Sequence, residues 1–375
     1  MKGQETMFIK NLLVSGFKSF STERPLELAL GRINLLIGAN GAGKSNLVAV
    51  FDFLRSAYFR SLQNYVSTEG VASLLHGGPQ RTKDIQVSLT IESPEEGQLA
   101  TYRLGLRYGL PAHLYVAEES YQFLDDAPRS IVLPYDNGDS HLQDVRWEKG
   151  ASSIAEVLSG IRLYQFNNTA QGAPIRQPSG LYDCASLRLD GSNLAAFLNQ
   201  LKLHDEYAPY YRRITAIIRS VMPQFKDFAF ETTKGGSVWL NWCDQTHVGY
   251  VMGPHQISDG ALRFMALATA LLSPPDLMPK VVVLDEPELG LHPLALAKLS
   301  GMIKMAASTS QVVVATQSSV LLDSFDLSQV KVVDWDRQLG CTCVRSLDSN
   351  DYKAWLDDYD LNSDLWEKNI LGGQP

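Results

Sequence analysis

The sequence predicts an α/β fold: a mixed core sheet with helices, an attached antiparallel β subdomain and an inserted helical lobe. Three observations carry this expectation. The apolar run Ile33-Asn34-Leu35-Leu36-Ile37 reads as a buried strand. It passes at once into Gly38-Ala39-Asn40-Gly41-Ala42-Gly43-Lys44-Ser45, and then into a helical pattern of Leu47, Val48, Val50, Phe51, Leu54 and Tyr58. A second apolar run, Val281-Val282-Val283-Leu284, ends in Asp285-Glu286-Pro287, and a third, Gln311 to Ala315, ends in Thr316-Gln317-Ser318. Buried strands that end in polar residues and alternate with helical stretches are the pattern of an α/β core.

At the N-terminus, Phe8 to Val14 is a strand-like run, Gly16-Phe17-Lys18-Ser19-Phe20 comes next, and Leu26-Glu27-Leu28 starts a second β pattern. Ser61 to Thr82, with Leu74-Leu75-His76-Gly77-Gly78, reads as a surface loop near a site. From Asp84 the period becomes two: Ile85, Val87, Leu89 and Ile91 alternate with polar residues. Tyr102 to Tyr108, His113 to Phe123 and Ser130 to Pro134 continue the pattern between turns, which predicts the antiparallel sheet. Around Lys149 the character turns helical, and Asn167 to Gly180 is a Gln/Pro/Gly-rich loop. Ser192 is the expected N-cap of a helix bearing Leu194, Phe197, Leu198 and Leu201. Tyr211, Ile214, Ile217, Ile218 and Val221 mark the next helix, stopped by Pro223. Both faces read as core. Without sustained heptads, no coiled-coil arms are expected. Phe228 to Trp242 and Val248 to Met252 return to β, and Ala261 to Leu272 is apolar nearly all round, a buried helix. The expected organisation is 1–148 with the glycine loop and β subdomain, 149–224 as the helical lobe, and 225–375 as the second part of the core.

Composition narrows the class. Of 375 residues, 45% are hydrophobic and 20% charged, an ordinary globular balance. The net charge of −8 supplies no global basic field for nucleic acid, although the adjacent pair Arg212-Arg213 marks a candidate local patch. No apolar run approaches the ~20 residues of a membrane span. Met1 to Thr6 lacks a signal-peptide core, so a cytoplasmic location is expected. Cys184, Cys243, Cys341 and Cys343 have no metal-site spacing. Cys341-Thr342-Cys343 would put two thiols on one strand face, and reads as small residues rather than a zinc or redox pair.

The motifs carry the chemistry. Gly38 to Ser45 fits G-x-x-x-x-G-K-[ST], the phosphate-binding loop. Its glycines let backbone N–H groups turn to phosphate, and the helix N-terminus behind it adds donors and partial positive charge. Lys44 would reach the β/γ-phosphates and Ser45 would bind Mg²⁺. Of the paired carboxylates, Asp285 would contact Mg²⁺ directly or through water, and Glu286 would orient and deprotonate the attacking water. The cofactors expected are therefore a nucleoside triphosphate and Mg²⁺.

With Ile257-Ser258-Asp259-Gly260-Ala261 and the run Leu284 through Pro293, the chain resembles the ABC-class ATPases of the SMC/RecF/OLD group, and most of all stand-alone RecF-like (AAA15-type) ATPases. Gly16 to Phe20 and the tail from Asp364 to Gly373 share the likeness, while about Leu99 to Lys234 matches in character only. The resemblance implies an ABC-type P-loop ATPase head that dimerises on ATP. In such a dimer Gly38, Asn40, Gly41, Ala42, Gly43, Lys44, Ser45 and Asn46 of one subunit would face Ser258, Asp259 and Gly260 of the other. Lys18 matches a basic residue that touches phosphate or base, and His292 falls in the loop that crosses the dimer interface. Gln63 is a candidate water-sensing glutamine. Gln317 stands where many relatives place histidine. It can still hydrogen-bond to phosphate or water but adds no titratable charge, which predicts slow turnover.

The function implied is an ATPase switch in DNA repair or antiphage defence, with a separate effector protein and DNA as candidate partners. Two other readings compete. An ATP-dependent scaffold would restrain or assemble a toxic partner with little turnover. A transporter ATPase subunit shares the signature and crossing loop, but not the Phe17-Lys18-Ser19-Phe20 start or the long insertion.

Overall fold

The computed structural model describes residues 7–93, 98–124, 130–134, 138–148, 151–247, 249–348, 352 and 361–373. Two compact units divide the chain: Met1–Arg162, Pro279–Val283 and Ser310–Pro375 form the first, Leu163–Met278 and Leu284–Thr309 the second.

Apolar alternation builds the N-terminal half. Strand β1 (Phe8–Ser15) buries Ile9, Leu12 and Val14. A register shift between Ile9 and Asn11 lets the odd and even positions face the same way. Strand β2 (Leu26–Ala29) alternates buried and exposed, whereas β3 (Ile33–Ile37) is buried throughout. Helix α1 (Lys44–Tyr58) leads out of the glycine loop. Then α2 (Leu62–Glu69) and α3 (Val71–Leu74) fill the stretch expected as a surface loop. Packing explains this correction. Leu62, Val66, Leu74 and Leu75 are buried, and Leu75 bridges to Phe17. Helices this short are marginal alone and are fixed by tertiary contact.

Strands β4 (Asp84–Ser93), β5 (Gln98–Gly109), β6 (His113–Leu124) and β7 (Ser130–Val132) complete an antiparallel sheet in the order β2-β1-β4-β5-β6-β7. Lys149 lies outside the described residues, but α4 (Ala151–Ser159) confirms the turn to helix. After it comes β8 (Ile161–Tyr164), a strand that periodicity alone does not separate.

The second unit carries β9 (Ser179–Gly180), α5 (Leu194–Leu203) and α6 (Ala208–Val221). Asn193, not Ser192, stands at the N-cap position of α5; Ser192 lies in the preceding turn, where its N–H donates to Asp190 (3.0 Å). The β stretch from Phe228 is broken. Strands β10 (Phe225–Phe228), β11 (Glu231–Thr232), β12 (Ser237–Trp239), β13 (Trp242–Asp244) and β14 (Val251–Met252) form two three-stranded sheets, β10-β13-β14 and β11-β12-β9. Val248 lies outside the described residues. Helix α7 (Asp259–Leu272) is buried along most of its length.

Strand β15 (Val281–Asp285) leads to α8 (Pro293–Ala306) in the second unit. In the first unit come β16 (Gln311–Thr316), α9 (Ser319–Leu322), β17 (Val330–Asp336), β18 (Cys341–Ser346) and α10 (Asn362–Glu367). The core sheet runs β18-β17-β3-β16-β15-β8. Strand β3 is parallel to both β16 and β17, while β18 is antiparallel to β17, so the sheet is mixed. The longest helix among the described residues has 15 residues.

Candidate nucleotide site

In the first unit, strand register sets the geometry. Ile37 pairs with Thr316 across the parallel β3/β16 ladder, so Gly38 and Gln317 leave the sheet at one edge, side by side. The loop start is pressed against β17: a Cβ on Gly38 would lie 2.1 Å from the Val333 carbonyl oxygen. The loop end is equally tight. Gly43 sits at φ +111, and a Cβ there would fall 2.1 Å from Thr342 Oγ1. Only glycine satisfies both demands. Thr342 in turn donates to the Ala42 carbonyl (2.8 Å). The strand predicted for Cys341-Thr342-Cys343 is thus present as β18, and its central threonine, not either thiol, reaches the loop.

Lys44 is buried and curls over its own loop, with Nζ donating to the carbonyls of Gly38 (2.7 Å) and Ala39 (3.0 Å). These oxygens occupy the role that phosphate oxygens would take. No acidic residue stands in the first turn of α1, which leaves its positive end available to an anion. Ser45, exposed, and Asn46 lie in that turn. Ala39, Asn40, Gly41 and Ala42 line an open hollow of ≈ 520 Å³ together with Asp334, Trp335 and Arg337. A second hollow of ≈ 500 Å³ is lined by Lys18, Asn46, His76, Arg81 and Trp335. A lysine that needs oxygen acceptors, a helix start without a carboxylate and cationic side chains beside it fit a nucleoside triphosphate with Mg²⁺.

Lys18 takes a left-handed backbone (φ 48). Its N–H donates to the Leu74 carbonyl (2.7 Å), and its ammonium pairs with Glu69 (2.6 Å). His76, which the sequence places only within a loop near a site, lies here with a specific geometry. It is 4% exposed, its Nδ1 lies 3.1 Å from the Lys18 carbonyl oxygen, and its Nε2 has no hydrogen-bond partner among the described residues. Gln63, by contrast, donates both amide protons to backbone, at Leu114 (3.0 Å) and Gly138 (2.9 Å). That bracing role displaces the water-sensing one expected of it.

In the second unit, Asp285 closes β15 and Glu286 turns the chain at φ 48. Successive turns bring the Leu289 N–H to the Glu286 carbonyl (3.2 Å) and the Leu291 N–H to that of Glu288 (3.0 Å). His292 then caps α8, its Nδ1 accepting from the Leu294 N–H (3.3 Å). Ser258 caps α7 in the same way, its Oγ accepting from the Ala261 N–H (3.3 Å). A Cβ on Gly260 would stand 2.4 Å from the Gly290 carbonyl oxygen, so these two loops touch. Ser258, Gly260, Gly290 and His292 accordingly line one hollow of ≈ 220 Å³.

Asp259 does not join them. Its carboxylate is paired with Arg176 (2.7 Å), which holds it below the ordinary carboxylate value, with help from Thr169. Arg176 is buried and also donates to the carbonyls of Thr169 (2.7 Å), Ile257 (3.0 Å) and Pro254. It anchors the whole turn into α7. A lone arginine in a Pro/Gly-rich loop gives no signal of this in the sequence. Arg263 on α7 likewise ties the Leu289 carbonyl (2.8 Å) to that of Asn167 (2.8 Å).

The fold is that of ABC-class, SMC-like ATPase heads. An Smc head bound to the C-winged helix domain of ScpA superposes with TM-score 0.60, at 16% identity, over 92% of this chain and 99% of that one. The Smc head with extended coiled coil from Pyrococcus furiosus gives 0.60 at 14% identity, covering 94% and 99%. Among curated proteins, the structural maintenance of chromosomes protein 3 of Arabidopsis thaliana is 36% identical over 72 residues, and that of Saccharomyces cerevisiae 33%. That match takes in 19% of this chain and 6% of each relative. A family profile matches residues 33–171 and 213–323, more than half of the chain. The chain belongs to that family, described as "AAA domain, putative AbiEii toxin, Type IV TA system".

Proposed function

We propose that the protein binds and hydrolyses Mg-ATP and that ATP closes two copies into a dimer. The observation that carries this is the second unit's hollow. It gathers Ser258, Gly260 and His292 beside the exposed start of the 14-residue helix α7, where the positive helix end favours an anion and the first-turn carboxylate of Asp259 is taken up by Arg176. In the dimer those groups would meet the γ-phosphate held by the other copy's Gly38–Ser45 loop.

The roles divide by chemistry. Lys44 exchanges its loop carbonyls for β/γ-phosphate oxygens, while the loop amides through Asn46 bind the remaining oxygens. Ser45 and Asp285 would hold Mg²⁺, which neutralises phosphate charge. Glu286 accepts the proton of the attacking water, and Gln317 hydrogen-bonds at the γ-phosphate. Lys18, with His76 and Arg81, faces the base and ribose side. Asp259 acts through Arg176, by fixing the turn that presents Ser258. Loss of the γ-phosphate removes the contacts across the dimer, which makes the site a switch.

The switch is proposed to serve DNA repair or antiphage defence through a separate effector. The reading of a separate effector is supported by a fold relative, the Smc head bound to the C-winged helix domain of ScpA. For DNA, helix α6 offers the surface: Arg212, Arg213 and Arg219 are exposed on it, with Lys226 just beyond. None of the three arginines is ion-paired to a carboxylate among the described residues.

The test is phosphate release and sizing of the Glu286→Gln protein in Mg-ATP. We expect turnover to fall roughly 10²-fold or more, the usual weight of a general base, with ATP still bound and dimers accumulating. Wild-type turnover in this variant would remove Glu286 from the base role. Stable wild-type dimers without phosphate release would turn the reading to an ATP-dependent scaffold.

A further inference from the structure

The segment 361–373 spans two parts of the first unit that matter for nucleotide binding. At one end it grips α9. The Ser363 N–H and hydroxyl donate to the two carboxylate oxygens of Asp323 (2.7 and 2.8 Å), and Asn362 donates to the Phe325 carbonyl (2.8 Å). Helix α9 starts from Ser318, which caps it and stands directly after Gln317. At the other end the Gly373 carbonyl accepts the N–H of Ala39, the second residue of the phosphate loop (2.9 Å).

The stretch between is rigidly seated. Leu365 and Leu371 are fully buried, and the turn after α10 is closed by Ile370 N–H to Leu365 (2.9 Å) and Gly372 N–H to Asn369 (3.1 Å). Arg345 donates to the Leu371 carbonyl. At Gly373, with φ +81, a Cβ would lie 2.6 Å from the Val332 side chain, so the carbonyl is held where it is by close packing.

We infer that residues 361–373 are a positioning strap that holds the phosphate loop in register with the Gln317 segment and thereby sets nucleotide affinity. This rests on the reading of Gly38–Ser45 as an ATP site. Lys44 creates the need for it. Its ammonium bonds the Ala39 carbonyl, and must leave that oxygen to reach phosphate. The strap tethers the same residue through its amide, so the loop keeps its place while the lysine moves. Asp323, at the far anchor, acts on the loop only through the strap and is a positioning residue.

The experiment compares wild type with Asp323→Ala, Asp323→Asn and Gly373→Val. Hydrogen exchange at the Ala39 amide is read without nucleotide, and the Kd for ATP by equilibrium binding. For Asp323→Ala we expect faster Ala39 exchange and about five- to tenfold weaker ATP binding, the size of one lost hydrogen bond. Asp323→Asn, which keeps an acceptor, should recover part of both. Gly373→Val should show the larger loss. If Asp323→Ala does not fold, Ser363→Ala removes one bond of the same anchor and is read identically. Wild-type exchange and wild-type Kd in the anchor variants overturn the strap alone. A wild-type protein that fails to bind ATP overturns the nucleotide reading, and with it the strap's effect on affinity.

Discussion

Glu286 and Lys18 both adopt φ 48, a conformation that disfavours any side chain with a Cβ and costs on the order of 1–3 kcal/mol. Residue type and position single out both for chemistry. Neither strain is legible in the sequence, because the φ of a turn residue is imposed by the packing around it. Asp259 shows the converse. Its motif suggests a nucleotide contact, but Arg176 claims the carboxylate. The folded carboxyl titrates below the ordinary carboxylate value of 3.8, so its stabilisation is complete above that value and is lost as pH falls through the lower folded one. Thermal melting across acid pH should therefore find Asp259→Asn less stable than wild type near neutrality. The gap should close in strong acid. A gap that persists there would mean the ion pair is not its source.

At the scale of elements, the strands and long helices are readable because one face or both are buried in a fixed period. Strand β3 is apolar at four of five positions, and β4 alternates from Asp84 to Glu92. Helices α2 and α3 are not readable. Leu62, Val66 and Leu74 are buried in the folded unit, and no local pattern announces that. The turn into α7 is a similar case, since its anchor Arg176 lies about eighty residues upstream. Replacing it strands three buried carbonyls, whereas the exposed Asp259 carboxylate turns to water. Arg176→Met should lower unfolding free energy by about 2–4 kcal/mol in urea titration, given what unpaired buried polar groups cost. Arg176→Lys should recover little, because an ammonium cannot span the guanidinium's fork. A midpoint equal to wild type would show the turn is held elsewhere.

At the scale of the whole molecule, a chain of net charge −8 presents an arginine face on α6. If that face meets DNA, binding should weaken steeply with salt, since each phosphate neutralised releases counterions. Reversing Arg212, Arg213 and Arg219 to Glu should abolish most of the affinity in a fluorescence titration and flatten the salt slope. ATP binding should stay at the wild-type level. DNA affinity unchanged by the triple reversal would move the contact to another surface.

Local sequence signals specify the α/β class, the SMC-like family, the phosphate loop and the acidic strand end. These depend on short-range periodicity and on glycines whose spacing is chemical. Tertiary structure alone decided that Thr342 and Gly373 press on that loop, that His76 lies beside Lys18, and that Gln63 braces backbone instead of sensing water. It also decided that Arg176 owns Asp259. Each of these is a contact between residues far apart in the chain, chosen by packing and by the need of buried polar groups for partners, and neither leaves a trace in local sequence.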